Sequence, residues 1–222
     1  MASVSARYLD LASRSKGELE AVFAAGSPPD VAALTGFEFR GYNQPRAAAL
    51  LGIRKFVKAF YLDRSGQPFG CNTPVAQNGL AGEWLPRPDD DQPKRYAFFR
   101  VEPAEPGAAD QRQRRAVLLD YGRGGNRGYD IARILRDYLV RIEPGSDDLL
   151  LGKTHFVVAG TSLASSFFLI ERYRPLRDAA ALAQAATALA AWPFFPAVLV
   201  SFSSRGAWTR DGRYRSCRCP SV

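Results

Sequence analysis

The sequence predicts an α+β fold in which an antiparallel β-sheet curls or closes into a small barrel. Five segments with strand-like patterning follow one another between residues 96 and 173, and mainly turn-like segments separate them. Spaced strands without long intervening helices favour an antiparallel sheet. We expect one or two N-terminal helices to cover the sheet, and an Ala-rich helix to form the C-terminal tail.

The first part of the chain combines helical periodicity with one short strand. Residues 8–25 show a partial 3.6-residue repeat that ends at the Gly- and Pro-rich residues 26–29, which predicts a helix. Residues 37–40 alternate apolar and polar side chains, as strands do. Residues 45–61 carry an apolar stripe behind the candidate N-cap Asn43, so we predict a second helix that covers the sheet.

The middle of the chain carries the β signals. Residues 65–93 are rich in Gly, Pro, Asn and Asp, which predicts a loop that could contain one strand near Trp84. The strand-like segments that follow are 96–101, 116–121, 138–142, 149–158 and 166–173. Their aromatic and aliphatic side chains suit a pleated, half-buried surface. Residues 130–139 also fit a helical pattern, so two interpretations remain open there.

The composition changes after residue 175. We therefore divide the chain into an α+β domain, 1–175, and an apolar and basic tail, 176–222. Residues 179–204 contain no charged side chain, and we predict a helix at 178–191, an apolar packing segment at 197–202 and a basic end. Membrane association through 179–202 is an alternative, but Pro193 and Pro196 would interrupt a spanning helix.

The charge distribution argues against a nucleic-acid-binding face. The formal net charge is +8, but residues 172–222 hold eight Arg against Asp178 and Asp211. Residues 1–171 therefore carry a net charge of only +2, and the fold does not require a basic surface.

Cysteine usage and the start of the chain bear on the compartment. The chain has three cysteines, Cys71, Cys217 and Cys219, and this odd count argues against a disulfide framework and is compatible with a reducing compartment. The N-terminus lacks an apolar run, so we expect no secretory signal and a cytoplasmic location. Zinc could nominally bind Cys71, Cys217, Cys219 and His155, but Cys-x-Cys lacks the usual ligand spacer, so we predict no metal site. We also predict no cofactor.

A Gly-rich loop at residues 122–128 is a candidate anion site. Its spacing fails the dinucleotide-binding pattern, because Arg127 stands where the third Gly is required. Backbone N–H groups together with Arg123, Asn126 and Arg127 could still hold an anion. The alternative is a wide turn.

His155 is the only histidine, and it raises the hypothesis of acid–base or nucleophilic catalysis. It could form a pair with Cys71, or with a buried carboxylate. Four carboxylates lie in or beside predicted strands: Glu38, Asp120, Glu143 and Glu171. The alternative is that they face solvent or meet Arg from a neighbouring strand.

Two stretches resemble the uncharacterised bacterial domains that are named after a GXWXG motif. The N-terminal match comprises Leu34, Gly36, Phe39, Gly41 and Lys55-Phe56, with Phe39 in place of the motif's Trp. Residues 167–172 resemble the aromatic final strand of such domains. The resemblance implies a small β-rich fold and no particular chemistry.

The predicted function is a binding module rather than an enzyme. A curled sheet with a helical lid could enclose an apolar cavity for a hydrophobic or lipid-like ligand. Candidate lining residues are Phe98, Tyr138, Phe156 and Phe168. One alternative is a dry core, and another is a small hydrolase or isomerase that uses His155 with Cys71 or a buried carboxylate.

Overall fold

The computed structural model of the chain describes residues 3–44, 52–104, 115–159 and 161–190. Within these residues, eight antiparallel strands close into a barrel, in which each strand pairs with its sequence neighbours and β1 pairs with β8. The strands are β1 Phe37–Asn43, β2 Lys55–Leu62, β3 Pro68–Pro74, β4 Tyr96–Pro103, β5 Val117–Asp120, β6 Leu135–Glu143, β7 Ser146–Val158 and β8 Thr161–Pro175. The predicted antiparallel barrel is confirmed.

Three helices cover the outside of the barrel, whereas the short helix that ends at Leu34 packs against its interior. The helices are α1 Ala6–Ser13, α2 Lys16–Ala25, α3 Val31–Leu34 and α4 Ala179–Ala190, with short 3-10 turns at Tyr121–Arg123 and Ile131–Ile134. The single helix predicted at 8–25 is two helices. The first ends at Ser13, and Ser15 is the N-cap of the second, where it forms a capping box with Glu18.

The helix predicted at 45–61 is wrong in its second half, which forms β2. Residues 45–51 lie outside the described residues. The aromatic and β-branched side chains of Lys55–Leu62 suit a strand, and the segment pairs along its length with β1 and β3. The loop predicted at 65–93 is also wrong in part, since it contains β3. At 130–139 both patterns occur, as a 3-10 turn followed by β6.

Both faces of the barrel wall are buried, because side chains alternate between the interior and the covering helices. The interior cluster includes Phe39, Phe56, Phe60, Phe99, Leu119, Leu139, Leu150, Phe168 and Ile170. On the outside, Tyr8, Leu11, Leu19 and Phe23 of the first two helices pack on β6, β7 and β8. On the far wall, Leu182 of α4 packs with Ala59, Tyr61, Phe69 and Cys71.

One compact unit, Met1–Ala191, contains all these elements. The segments predicted at 197–202 and beyond residue 203 lie outside the described residues, and the domain boundary after residue 175 stays a prediction. Among the helices that the structure describes, none combines the length and apolar character needed to cross a bilayer.

Three interior glycines make room for aromatic rings. An added Cβ at Gly41, Gly70 or Gly152 would overlap the ring of Phe56, Phe99 or Phe168, respectively. We expect Gly152→Ala to lower the free energy of unfolding by about 1–3 kcal/mol, measured by urea denaturation, because it overpacks the interior. The control is Gly128→Ala, whose Cβ would meet no described atom within 4 Å. Equal stability of the two variants would contradict the prediction.

Candidate functional site

Five polar side chains lie together inside the barrel, near one end. Lys58 and Asn72 are directly paired on β2 and β3, and Asp137 and Thr154 are directly paired on β6 and β7. Tyr121 follows the end of β5 and completes the group. We call Lys58, Asn72, Tyr121, Asp137 and Thr154 the interior polar cluster. Apart from the partly buried Thr154, all its members are buried.

Hydrogen bonds connect every member of the interior polar cluster. The Lys58 ammonium donates to Tyr121 Oη at 2.6 Å, to Asn72 Oδ1 at 3.0 Å and to Asp137 Oδ2 at 3.3 Å. The Tyr121 hydroxyl donates to Asp137 Oδ2, and Thr154 donates to Asp137 Oδ1, both at 2.7 Å. Asp137 is thus held by an ammonium and two hydroxyl groups, which fixes its orientation.

Burial and aromatic neighbours set the electrostatics of this cluster. Desolvation lowers the pKa of Lys58, and the Asp137 carboxylate opposes that shift. Burial, reinforced by Asp137, holds the pKa of Tyr121 well above its usual value. The Lys58 ammonium also lies 4.7–5.4 Å from the centroids of four rings, those of Phe56, Phe99, Tyr121 and Phe168. Such ring faces attract a cation.

The same end of the barrel carries exposed apolar side chains. Four connections lie at this end: β3–β4, which carries the exposed Leu85 and whose Trp84 packs on the outer wall, and three others, β1–β2, β5–β6 and β7–β8. The residues considered next belong to the last three. Among the large hydrophobic residues that the structure describes as exposed, five lie on or beside these connections: Ile53, Tyr129, Ile131, Phe156 and Val158. Tyr129 and Ile131 are 71% and 78% exposed. We call these five residues the apolar rim.

The four predicted lining residues do not share one space. Phe168 belongs to the interior cluster, and Phe156 is on the apolar rim. Phe98 packs outside the barrel beside the α4 cluster, and Tyr138 packs outside under the N-terminal helices. The structure therefore brings two of the four to the barrel lumen and its mouth.

The three side chains of the candidate anion site at the Gly-rich loop do not meet at one place. Arg123 pairs with Glu102, and Arg127 donates to the Tyr129 hydroxyl. Asn126 is buried and bonds to both backbone groups of Phe98, so it holds the loop against β4. Each of the three side chains has a different direction and partner.

His155 and Cys71 lie on opposite walls. They belong to β7 and β3, which are four strands apart in the closed barrel, and both side chains face outward. Instead, His155 Nδ1 lies 2.8 Å from Ser162 Oγ, and its ring packs edge-on against Tyr138. This geometry does not support the Cys71–His155 pair.

The Cys71 thiol is expected to be inert in the folded protein. It is fully buried, and burial raises its pKa to about 12. At pH 8 we expect iodoacetamide to label native Cys71 at least about 100-fold more slowly than Cys71 in urea, because the thiolate is the reactive form. Mass spectrometry of the Cys71 peptide gives both rates. Fast labelling of the native thiol would contradict this prediction.

Three of the four carboxylates considered above meet arginines on the outside of the barrel. Glu38 pairs with Arg95 and Arg174, Glu171 pairs with Arg40, and Asp120 pairs with Arg136. Glu143 is exposed beside the β6–β7 turn.

A cleft of about 330 Å³ lies near the Glu171–Arg40 pair, between the N-terminal segment and the loop at Leu80–Trp84. Across the described ranges, no group of three or more His, Cys, Asp or Glu side chains could hold a metal ion.

Sequence reasoning missed the interior polar cluster. The signal was present in β2, where Lys58 stands among Phe56, Val57, Ala59 and Phe60. A strand that is apolar on both faces must bury any lysine at its centre. The helical interpretation of 45–61 placed Lys58 away from the apolar stripe and so hid this inference.

The comparisons with known proteins do not assign the chain to a family. No protein-family model matches the sequence, and no curated protein matches it. The resemblance to GXWXG-type domains stays a prediction.

Proposed function

We propose that the protein binds a hydrophobic small molecule with a polar end group inside its barrel. The apolar chain of the ligand enters past the apolar rim, and its polar end meets the interior polar cluster. The observation that carries this proposal is the position of a buried ion pair, Lys58–Asp137, at the rimmed end of a largely apolar interior.

The energetic cost of that ion pair supports a binding role. Moving an ammonium and a carboxylate out of water costs several kcal/mol per ion, and apolar side chains of similar volume often give a more stable core. The neighbouring interior positions are filled by Phe, Leu and Ile. A polar group placed within such a lumen is the usual means of orienting a ligand and selecting its end group.

The position of the apolar rim also indicates that the ligand enters at this end of the barrel. Exposed hydrophobic residues gathered on one surface often mark a binding site. Leu62 is the matching exposed residue at the opposite end, where it stands at the β2–β3 turn. The rim therefore distinguishes one end of the barrel from the other.

Aromatic rings occupy the space that the ligand would take. Phe56 and Phe168 contact each other at 5.9 Å between centroids, and each ring fills the space beside an interior glycine. We propose that rotation of these two rings admits the ligand, whose apolar chain replaces the contacts that the rings lose. Phe156, on the rim strand β7, lies two residues from Thr154 along the inward face of that strand.

Titration with a fluorescent long-chain fatty alcohol tests the proposal. We expect one probe molecule to bind per chain, and unlabelled dodecanol to displace it. Ile131→Ser and Phe156→Ser should each weaken binding by about tenfold, which corresponds to the burial of one apolar side chain. Leu62→Ser is the matched control and should bind as the wild type does. Absence of saturable binding, or equal weakening by all three variants, would overturn the proposal.

A further inference from the structure

We propose that Lys58 is the attachment point for an apolar aldehyde, which its side-chain nitrogen binds as an imine. This inference rests on the proposed function, because the aldehyde must enter the lumen before it reaches Lys58. It adds the chemical class of the end group, a carbonyl, and the atom that bonds to it, Lys58 Nζ.

The surroundings of Lys58 Nζ suit a covalent imine. The nitrogen lies inside the barrel, among the four ring faces described above, with Asp137 Oδ2 at 3.3 Å as its counter-ion. A protonated imine keeps the positive charge of the ammonium at the same place. It therefore keeps both the ring contacts and the carboxylate partner. The apolar substituent of the imine would lie among the phenylalanines rather than in water.

The neighbouring groups can handle the protons of the reaction. The Lys58 ammonium transfers one proton to Asp137, and the resulting amine adds to the carbonyl carbon to form a C–N bond. The former carbonyl oxygen takes one proton from the nitrogen and the other from Asp137, and leaves as water. The product is a protonated imine beside an ionised Asp137, so atoms and charge balance without an oxidant or reductant. Tyr121 contacts both Lys58 Nζ, at 2.6 Å, and Asp137 Oδ2, at 2.7 Å, and can relay a proton between them.

The other four lysines have different environments. The Lys55 ammonium donates to four oxygens, those of Asn78, Gly79, Gly82 and Glu83, and lies 3.9 Å from the centroid of the Trp84 ring. Lys153 pairs with Glu20 outside the barrel. Lys16 and Lys94 are exposed and serve as internal references for ordinary amine reactivity.

Reductive trapping tests the inference on the full chain. The protein is incubated with dodecanal and cyanoborohydride, and peptide mapping measures the adduct at each of the five lysines. We expect Lys58 to be trapped at least about tenfold faster than Lys16 and Lys94, although it is the most buried of the three. In urea this preference should disappear. Propanal, which lacks the apolar chain, should modify the exposed lysines instead.

Displacement of the fluorescent probe by dodecanol separates this inference from the proposed function. If dodecanol binds and dodecanal modifies Lys16 and Lys94 but not Lys58, the imine is excluded and the proposed function stands. If neither compound displaces the probe, both fail. Lys58→Arg keeps a positive charge beside Asp137 but removes the amine, so dodecanal should then modify the other lysines only, at the rates measured for them in the wild type. Because the wild-type map decides the question by itself, a folding defect in this variant would not prevent the test.

Discussion

Replacement of Asp137 by leucine is expected to lower the free energy of unfolding by about 3–5 kcal/mol, because it leaves the Lys58 ammonium buried without its carboxylate. Lys58 and Asp137 side chains are 2% and 5% exposed, so water cannot replace the lost partner. Tyr121 and Thr154 would lose their acceptor as well. Urea denaturation monitored by circular dichroism measures the change.

The double variant Lys58→Met/Asp137→Leu separates an unpaired charge from a general loss of packing. Apolar replacement of a whole buried ion pair is often neutral or stabilising. Since Asn72, Tyr121 and Thr154 would still lose partners, we expect a loss of about 1–3 kcal/mol, smaller than that of Asp137→Leu alone. If the double variant is less stable than Asp137→Leu alone, the unpaired Lys58 charge is not the main cause of the destabilisation.

Replacement of Glu171 by leucine is expected to have an effect of similar size, about 3–5 kcal/mol. Its carboxylate accepts from Arg40 Nε at 2.9 Å and from the backbone N–H of Ser5 at 3.1 Å. The first contact neutralises a buried guanidinium, and the second holds the residue that caps α1. Loss of Glu171 should therefore unpair Arg40 and loosen the N-terminal helix. Chemical denaturation measures the first effect, and limited proteolysis of residues 3–14 measures the second.

Two variants calibrate this prediction. Glu171→Gln keeps an oxygen for Ser5 but removes the charge, so its loss should be smaller than that of Glu171→Leu. Asp148→Ala breaks the exposed pair with Arg172, and such a pair contributes at most about 1 kcal/mol. If Asp148→Ala and Glu171→Leu destabilised the protein equally, this would contradict the claim that burial makes the Glu171–Arg40 pair more important than an exposed pair.

The barrel could be predicted because its later strands carry clear signals. The segments at 96–101, 149–158 and 166–173 are rich in Phe, Val and Leu, and turn residues separate them. The structure extends each of these segments by a few residues but does not move them. Strand closure through the β1–β8 pair could not be read from the sequence, because it joins residues more than a hundred positions apart.

The second strand was harder to predict than the first, because helical and strand patterns coincide there. Val57, Phe60 and Tyr61 fit a helical stripe, but they are also β-branched or aromatic. Tertiary pairing with β1 and β3 decides in favour of a strand, and local periodicity cannot anticipate that pairing. Once this segment is known to be a strand, its apolar residues on both faces indicate that Lys58 is buried.

The inward and outward faces of the strands could not be assigned either. Polar side chains usually mark the solvent face of a strand, but helices cover the outside of this barrel. Phe98 and Tyr138 are therefore as apolar in their surroundings as Phe168, although they face the other way. Which side chains of a strand face inward can be assigned only when the positions of the covering helices are known.

Intermolecular NOEs between bound dodecanol and the aromatic ring protons of the full chain test the central claim most directly. If the ligand lies in the lumen with its entrance at the apolar rim, its methylene protons should give NOEs to Phe168 and Phe156. They should give none to Phe98 and Tyr138, which pack outside the barrel. NOEs confined to Phe98 and Tyr138, or none from a saturating alcohol, would contradict a ligand inside the barrel.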